Sequence, residues 1–263
     1  MRAGAIAYLL ILLIMMWFET TLIFPRWAIA PGDWQPQGFA YEDVWFTSSD
    51  GTRLHGWYFE RPGATTYVLY CHGNGEDVAG LGEYMDTLRD RHGVSLFAFD
   101  FRGYGRSEGR PEEGGIIADA CAAQQWLAQR AGVSTTDIVL WGRSIGGAIA
   151  VQVAADYGAR GLILERTFTS LPDVAARHYW WLPVRLLMRN RFDSLRRIGA
   201  YHGPLLQSHG TADEIVPYEL GQQLFAAAAA TPKQFVTMPD VTHNGPNDED
   251  YYTELQRFLE QLK

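Results

Sequence analysis

The stretch "LWGRSIGG", Leu140 to Gly147, places one serine two residues from a glycine on either side, in the pattern G-x-S-x-G. The apolar run "DIVLW" before it reads as a buried strand, and the small-residue run "GGAIAVQVAADY" after it as a helix. Gly142 and Gly146 let the chain turn tightly enough to push Ser144 out at the end of a strand, the geometry of a nucleophile elbow. The helix behind it offers the backbone N–H of Ile145 to a developing oxyanion. The same five residues in isolation would equally suit a glycine-lined turn with a capping serine. The strand before and the helix after favour the nucleophile.

A serine hydroxyl is a poor nucleophile and needs a base, which in turn needs an orienting acid. On a strand–turn–helix elbow the chain order is serine, acid, histidine. His243, in "MPDVTHNGPND", follows the last strand pattern and precedes the last helical one; Asp213, in "SHGTADEIVP", follows the strand "PLLQ". The order Ser144–Asp213–His243 is met. Glu214 beside Asp213, Glu165 at a strand end and His209 before a turn compete for these roles, and His209 reads as a support for its turn. The second oxyanion donor should come from the loop after the first central strand, "YCHGNGEDV", where the backbone N–H of Asn74 is the candidate. His72 reads as a loop hydrogen-bonding group. "DFRGYGRSEG", Asp100 to Gly109, reads as architecture, since no Gly-Lys-Ser/Thr closes it as in a phosphate loop. This chemistry needs no cofactor and no metal.

The elements that must hold these groups alternate along the chain. "EDVWFTS" and "RLHGWYFE" read as two strands of an antiparallel hairpin around Asp50-Gly51. "TYVLYCHG", "VSLFAFD", "DIVLWGR", "GLILER", "PLLQSHG" and "QFVTMPD" are further strands, interleaved with helical patterns that include Tyr218–Ala229 and Asp248–Leu262. Strands alternating with helices imply βαβ units and a three-layer α/β fold with a mostly parallel sheet. With 263 residues and 47% hydrophobic composition, one large domain with a sizeable core is the expectation. A net charge of -8 argues against nucleic acid as a partner, because that affinity rests on neutralising phosphates. Cys71 and Cys121 sit in an apolar strand and a helical pattern and read as free thiols, with no zinc-site spacing around them.

Residues 1–27 stand apart. "AGAIAYLLILLIMMWF", Ala3 to Phe18, is uncharged; Glu19 interrupts it and "TTLIFPRW" continues. Extended to Phe24, the run is long enough for a membrane helix, with Glu19 near one interface and Trp17, Phe24 and Trp27 in an aromatic belt. A cleaved signal peptide is the alternative, since "AIA" at Ala28–Ala30 has the small-x-small look. An uncleaved single-pass anchor is the preferred expectation, with a linker at 28–41 and the folded domain at 42–263.

Together "HGNG", "DFRGYGRSEG", "GRSIGG", "HGTADEIVP" and "VTHNGP" resemble the α/β-hydrolase superfamily over Glu42 to Lys263. With the anchor and "ARHYWWLPVRLLMRNRFDSLRRI", the chain is similar to membrane-anchored hydrolases of the bud-emergence type, a group that includes depalmitoylating thioesterases. The resemblance implies hydrolysis of an acyl ester or thioester through an acyl-serine. A serine peptidase of the same fold and a non-catalytic, membrane-tethered binding module are the alternatives. It also implies a cap inserted at 166–200. That segment carries seven arginines (166, 177, 185, 189, 191, 196, 197) against Asp173 and Asp193, a local balance of +5. One expectation is that Trp180 and Trp181 contact acyl chains while the arginines meet anionic membrane lipid. The other is ordinary packing with solvated or internally paired arginines.

Overall fold

The runs of apolar residues that alternate in facing direction build the centre of the molecule. In β5 (Ile138–Arg143), Ile138 and Leu140 join one apolar cluster while Val139 and Trp141 join another, as the two-residue period of a strand requires. A strand with both faces buried must be covered on both sides. The helices α2 (Val78–His92) and α9 (Glu249–Gln261) cover one face; α3 (Glu113–Ala131), α4 (Ile145–Tyr157) and α8 (Tyr218–Ala227) cover the other. The computed structural model describes residues 2–26, 29 and 32–262. Trp27 of the expected aromatic belt, and Ala28 and Ala30 of the small-residue motif, lie outside the described residues.

The remaining strands are β1 (Glu42–Thr47), β2 (Arg53–Phe59), β3 (Tyr67–Cys71), β4 (Ser95–Asp100), β6 (Gly161–Glu165), β7 (Leu205–Gly210) and β8 (Lys233–Met238). They form one eight-stranded sheet in the order β1-β2-β4-β3-β5-β6-β7-β8. β1 pairs with β2 and β2 with β4 antiparallel; all other pairings are parallel. The order turns back on itself at β3–β5, and the loops leaving the C-terminal ends of those two strands meet there. In open α/β sheets this crevice is where ligands bind.

Between β6 and β7 the chain leaves the sheet as the short helices α5 (Leu171–His178), α6 (Val184–Leu187) and α7 (Ser194–Arg197). The first helix of the chain, α1 (Arg2–Ile23), lies against this insertion. Gly4–Ile23 is long and apolar enough to cross a membrane. At about 1.5 Å per residue its 20 residues reach roughly 30 Å. Two residues of the N-terminal segment are held by the cap. Glu19, expected near one interface, has a buried side chain that Arg189 and Asn190 of the cap hold. Phe24 is only 3% exposed and packs edge-on against Phe192 instead of standing in an aromatic belt. The segment expected as a linker is also packed, with Trp34, Phe39 and Tyr41 gathered around Trp57 of β2. Large aromatic rings beside an apolar strand bury their area rather than leave it in water.

Candidate active site

The elbow follows from what the two glycines leave out. A Cβ on Gly142 would stand 2.2 Å from the Gly146 carbonyl oxygen, and one on Gly146 would stand 2.0 Å from that of Cys71. Only glycine lets the end of β5, the start of α4 and the end of β3 come this close. Ser144 takes φ 55° and ψ -119°, a strained conformation for a residue with a side chain. Fixed contacts hold it there. Its N–H donates to the Glu165 carbonyl at 2.8 Å, and its own carbonyl accepts from Thr167 Oγ1 at 2.8 Å.

His243 comes from the loop after β8 and Asp213 from the loop after β7. Ser144 Oγ lies 3.1 Å from His243 Nε2, and His243 Nδ1 lies 2.8 Å from Asp213 Oδ2. Asp213 Oδ1 accepts from the backbone N–H groups of Ile215 and Val216 at 3.0 and 2.7 Å. Burial works against its ionisation, but hydrogen bonds from His209, His243 and the Val216 N–H outweigh it and hold the carboxyl well below the usual range. His209 is wholly buried beneath it, with Nε2 2.9 Å from the Val216 carbonyl and 3.2 Å from Asp213 Oδ2. It therefore supports the turn, as its position suggested.

The competing carboxylates have other partners. Glu165 is buried and accepts from Trp141 Nε1 at 2.9 Å and from the Tyr251 hydroxyl. Glu214 accepts from the His243 backbone N–H at 3.3 Å. His72 has Nδ1 2.7 Å from the Gly73 carbonyl and stacks on Phe101.

Ile145 opens α4, so its N–H has no acceptor within the helix. The close approach of Gly146 to the Cys71 and His72 carbonyls sets this helix start against the loop that carries Asn74. The Asn74 side chain is itself clamped: its amide donates to the Ile23 carbonyl of α1, and its oxygen accepts from the Tyr104 hydroxyl at 2.6 Å.

Three residues that sequence reasoning passed over hold the histidine loop. Arg143, inside the elbow motif, and Arg166, just after β6, both donate to the His243 carbonyl, at 2.9 and 2.8 Å. Glu76 pairs with Arg143 and accepts from the Gly73 N–H at 2.6 Å, tying the Asn74 loop to the histidine loop. Burial disfavours the Arg143 cation, but Glu76 together with Tyr70, Glu165 and Tyr84 outweighs it and raises its pKa. Nothing in the spacing of these residues marked them, because their partners, the His243 carbonyl for the two arginines and Arg143 for Glu76, are brought near only by the fold. The one local signal was an arginine inside the G-x-S-x-G pattern.

The cap residues fall differently from the acyl-contact expectation. Trp180 and Trp181 are exposed, at 82% and 45%, and neither lines the apolar cleft beneath the cap. The backbone turns them outward between α5 and α6, where the Trp181 carbonyl accepts from the Tyr8 hydroxyl of α1. Several arginines have protein partners: Arg185 with Asp173, Arg189 with Glu19, Arg197 with Asp156, and Arg191 with the Arg185 carbonyl. For these the internally paired alternative holds.

The sheet order, the strained elbow on β5 and the cap between β6 and β7 define an α/β hydrolase. The chain belongs to the family described as Hydrolase_4, serine aminopeptidase, S33, whose model matches residues 63–195. That span includes Ser144 and ends before Asp213 and His243. The chain is 43% identical over 209 residues to uncharacterized protein Rv2307c of Mycobacterium tuberculosis, covering 79% of this chain and 74% of that one. It is 33% identical over 244 residues to the alpha/beta hydrolase domain-containing protein WAV2 of Arabidopsis thaliana, covering 84% and 79%. Among solved structures it superposes on an esterase of Pyrococcus furiosus with a TM-score of 0.75 at 20% identity, over 89% of this chain and 96% of that one. A soluble variant of monoglyceride lipase from Saccharomyces cerevisiae gives 0.66 at 17% identity, over 89% and 99%. At such identities the structural likeness bears on the fold alone.

Proposed function

We propose that the chain is a membrane-anchored serine hydrolase that cleaves acyl esters or thioesters through an acyl-serine intermediate. The observation that carries this is the continuous chain of contacts Ser144 Oγ–His243 Nε2 and His243 Nδ1–Asp213 Oδ2 at 3.1 and 2.8 Å. Ser144 attacks the acyl carbonyl as His243 takes its proton, and Asp213 orients the imidazole and stabilises its cation. The N–H groups of Ile145 and Asn74 stabilise the tetrahedral oxyanion. His243 then protonates the departing alcohol or thiol, and water repeats the sequence on the acyl-serine. Every group required is supplied by the chain itself.

The thioester arm follows from the resemblance to depalmitoylating hydrolases. The esterase and lipase names of the structural neighbours support the ester arm in the same limited way. The family's description favours one second reading, hydrolysis of an amino-terminal peptide bond by the same groups. Turnover of paired oxygen esters, thioesters and an aminoacyl anilide by wild type and Ser144→Ala tests these together. The proposal expects ester or thioester turnover that Ser144→Ala abolishes. Turnover of the anilide alone would favour the peptidase. No Ser144-dependent turnover of any would point to a tethered binding module.

A further inference from the structure

α1 and the cap leave an apolar cleft of about 190 Å³ between them. Leu12, Met15 and Leu22 line it from the helix, and Tyr179, Leu182 and Leu187 from the cap. An apolar cavity of about 150 Å³ already admits benzene, so this one holds an alkyl segment of several carbons. Glu19 is the one charged residue on its wall. Its Oε1 accepts from the backbone N–H groups of Arg189 and Asn190 and from Asn190 Nδ2, and its Oε2 from Arg189 Nε. The carboxylate is thus engaged by the cap, and the same bonds fix the helix at the cleft.

Two features say what occupies it. At the inner end, Ile23 lines the cleft, and its carbonyl accepts from the Asn74 side chain, in the loop of the candidate oxyanion donor. On the outside, Leu9, Leu13 and Trp17 of α1 are exposed, as are Trp180 and Leu186 of the cap. Exposed apolar surface of this kind meets a membrane or another protein, and its place on and beside a helix long and apolar enough to span a bilayer favours the membrane. The cleft thus has exposed apolar side chains beside it and, at Ile23, a wall residue one hydrogen bond from the Asn74 loop.

We propose that α1 is a wall of the acyl-binding site as well as an anchor: the cleft receives the unbranched fatty acyl chain of a lipid ester, taken up from the bilayer, whose carbonyl lies at Ser144. This rests on the serine-hydrolase reading. Each methylene that moves from water into the cleft raises kcat/KM about fourfold, so four give roughly 200-fold.

The test uses the full chain in phosphatidylcholine nanodiscs, labelled with a fluorophosphonate whose dodecyl chain ends in a diazirine. The proposal expects attachment at Ser144 and, after photolysis, crosslinks within Leu12–Ile23 and within Ala175–Met188. Attachment at Ser144 with crosslinks confined to other elements overturns the proposal and leaves the hydrolase reading standing. No attachment at Ser144 overturns both. As a second measurement, Leu12→Trp fills the cleft from the helix side without touching the sheet. It should lower the ratio of decanoate to butanoate kcat/KM at least tenfold, and an unchanged ratio overturns the proposal.

Discussion

Removing the Glu19 carboxylate gives a graded test of how α1 is held. Oε1 accepts from Arg189 N at 2.8 Å, Asn190 N at 2.9 Å and Asn190 Nδ2 at 3.1 Å, and Asn190 is buried. Glu19→Ala strands these donors. A buried donor left unsatisfied costs about 1–3 kcal/mol. Water entering the space vacated by the side chain favours the low end, so the three together come to about 3 kcal/mol. The Arg189 guanidinium is largely exposed, and its pair with Oε2 adds less than ~1 kcal/mol. At 1.4 kcal/mol per factor of ten, the cap should open from α1 roughly 100-fold more often. Glu19→Gln keeps a carbonyl oxygen where Oε1 stands and loses mainly the exposed pair, so its change should stay within about tenfold. Hydrogen exchange of the full chain in nanodiscs reads this directly at the Arg189 and Asn190 amides, the donors concerned. Unchanged exchange in Glu19→Ala would refute the reasoning. So would equal exchange in Ala and Gln, since charge alone would then be at work.

Other substitutions test the rest of the site. Gly146→Ala would bring a Cβ within 2.0 Å of the Cys71 carbonyl, so β3 and the Asn74 loop must shift; a loss of about 1–3 kcal/mol, a melting point lower by about 5 °C and reduced kcat should follow in calorimetry and ester assays. Asp213 has its carboxyl held below the usual range, so the stability it adds is complete above about pH 5 and is lost as the pH falls through its depressed value. The melting-point difference between wild type and Asp213→Asn should accordingly narrow from pH 7 to pH 3, and a difference that widens would contradict the sign. A chain beginning at Asp33 keeps the sheet and the candidate triad and loses the contacts that Glu19 and Phe24 make with the cap. It should bind a hydrophobic dye more strongly than the full chain and favour decanoate over butanoate less, as fluorescence and paired kinetics would show.

The parts of this molecule legible in the sequence are those written locally. The elbow is five consecutive residues, and its glycines are required by backbone contacts at 2.2 and 2.0 Å. The strands of the parallel core are short apolar runs because both their faces are buried, and the eight-stranded order agrees with the alternation of strands and helices. His243 and Asp213 could be placed because each follows a strand at the same sheet edge. What was not legible depends on distant pairing. Glu19 and Arg189 are 170 residues apart, so nothing in the apolar run around Glu19 shows that the cap binds it. Arg143 and Arg166 serve the histidine loop through its main-chain oxygen, which leaves no pattern in residue types. Trp180 and Trp181 suggested an acyl contact by composition, but the turn after α5 aims them outward. The segment at 28–41 read as a linker because its prolines and glycines hid three aromatic rings that pack on Trp57.

The proposed reaction depends on Ser144 being a nucleophile activated by His243 and Asp213. Intact-mass spectrometry of the full chain after treatment with a small fluorophosphonate, followed by peptide mapping, tests it most directly. One adduct is expected, located on Ser144, formed at a rate that His243→Ala lowers by about 10³-fold or more. A folded wild type that takes up no adduct, or one that carries it on another residue, would contradict it.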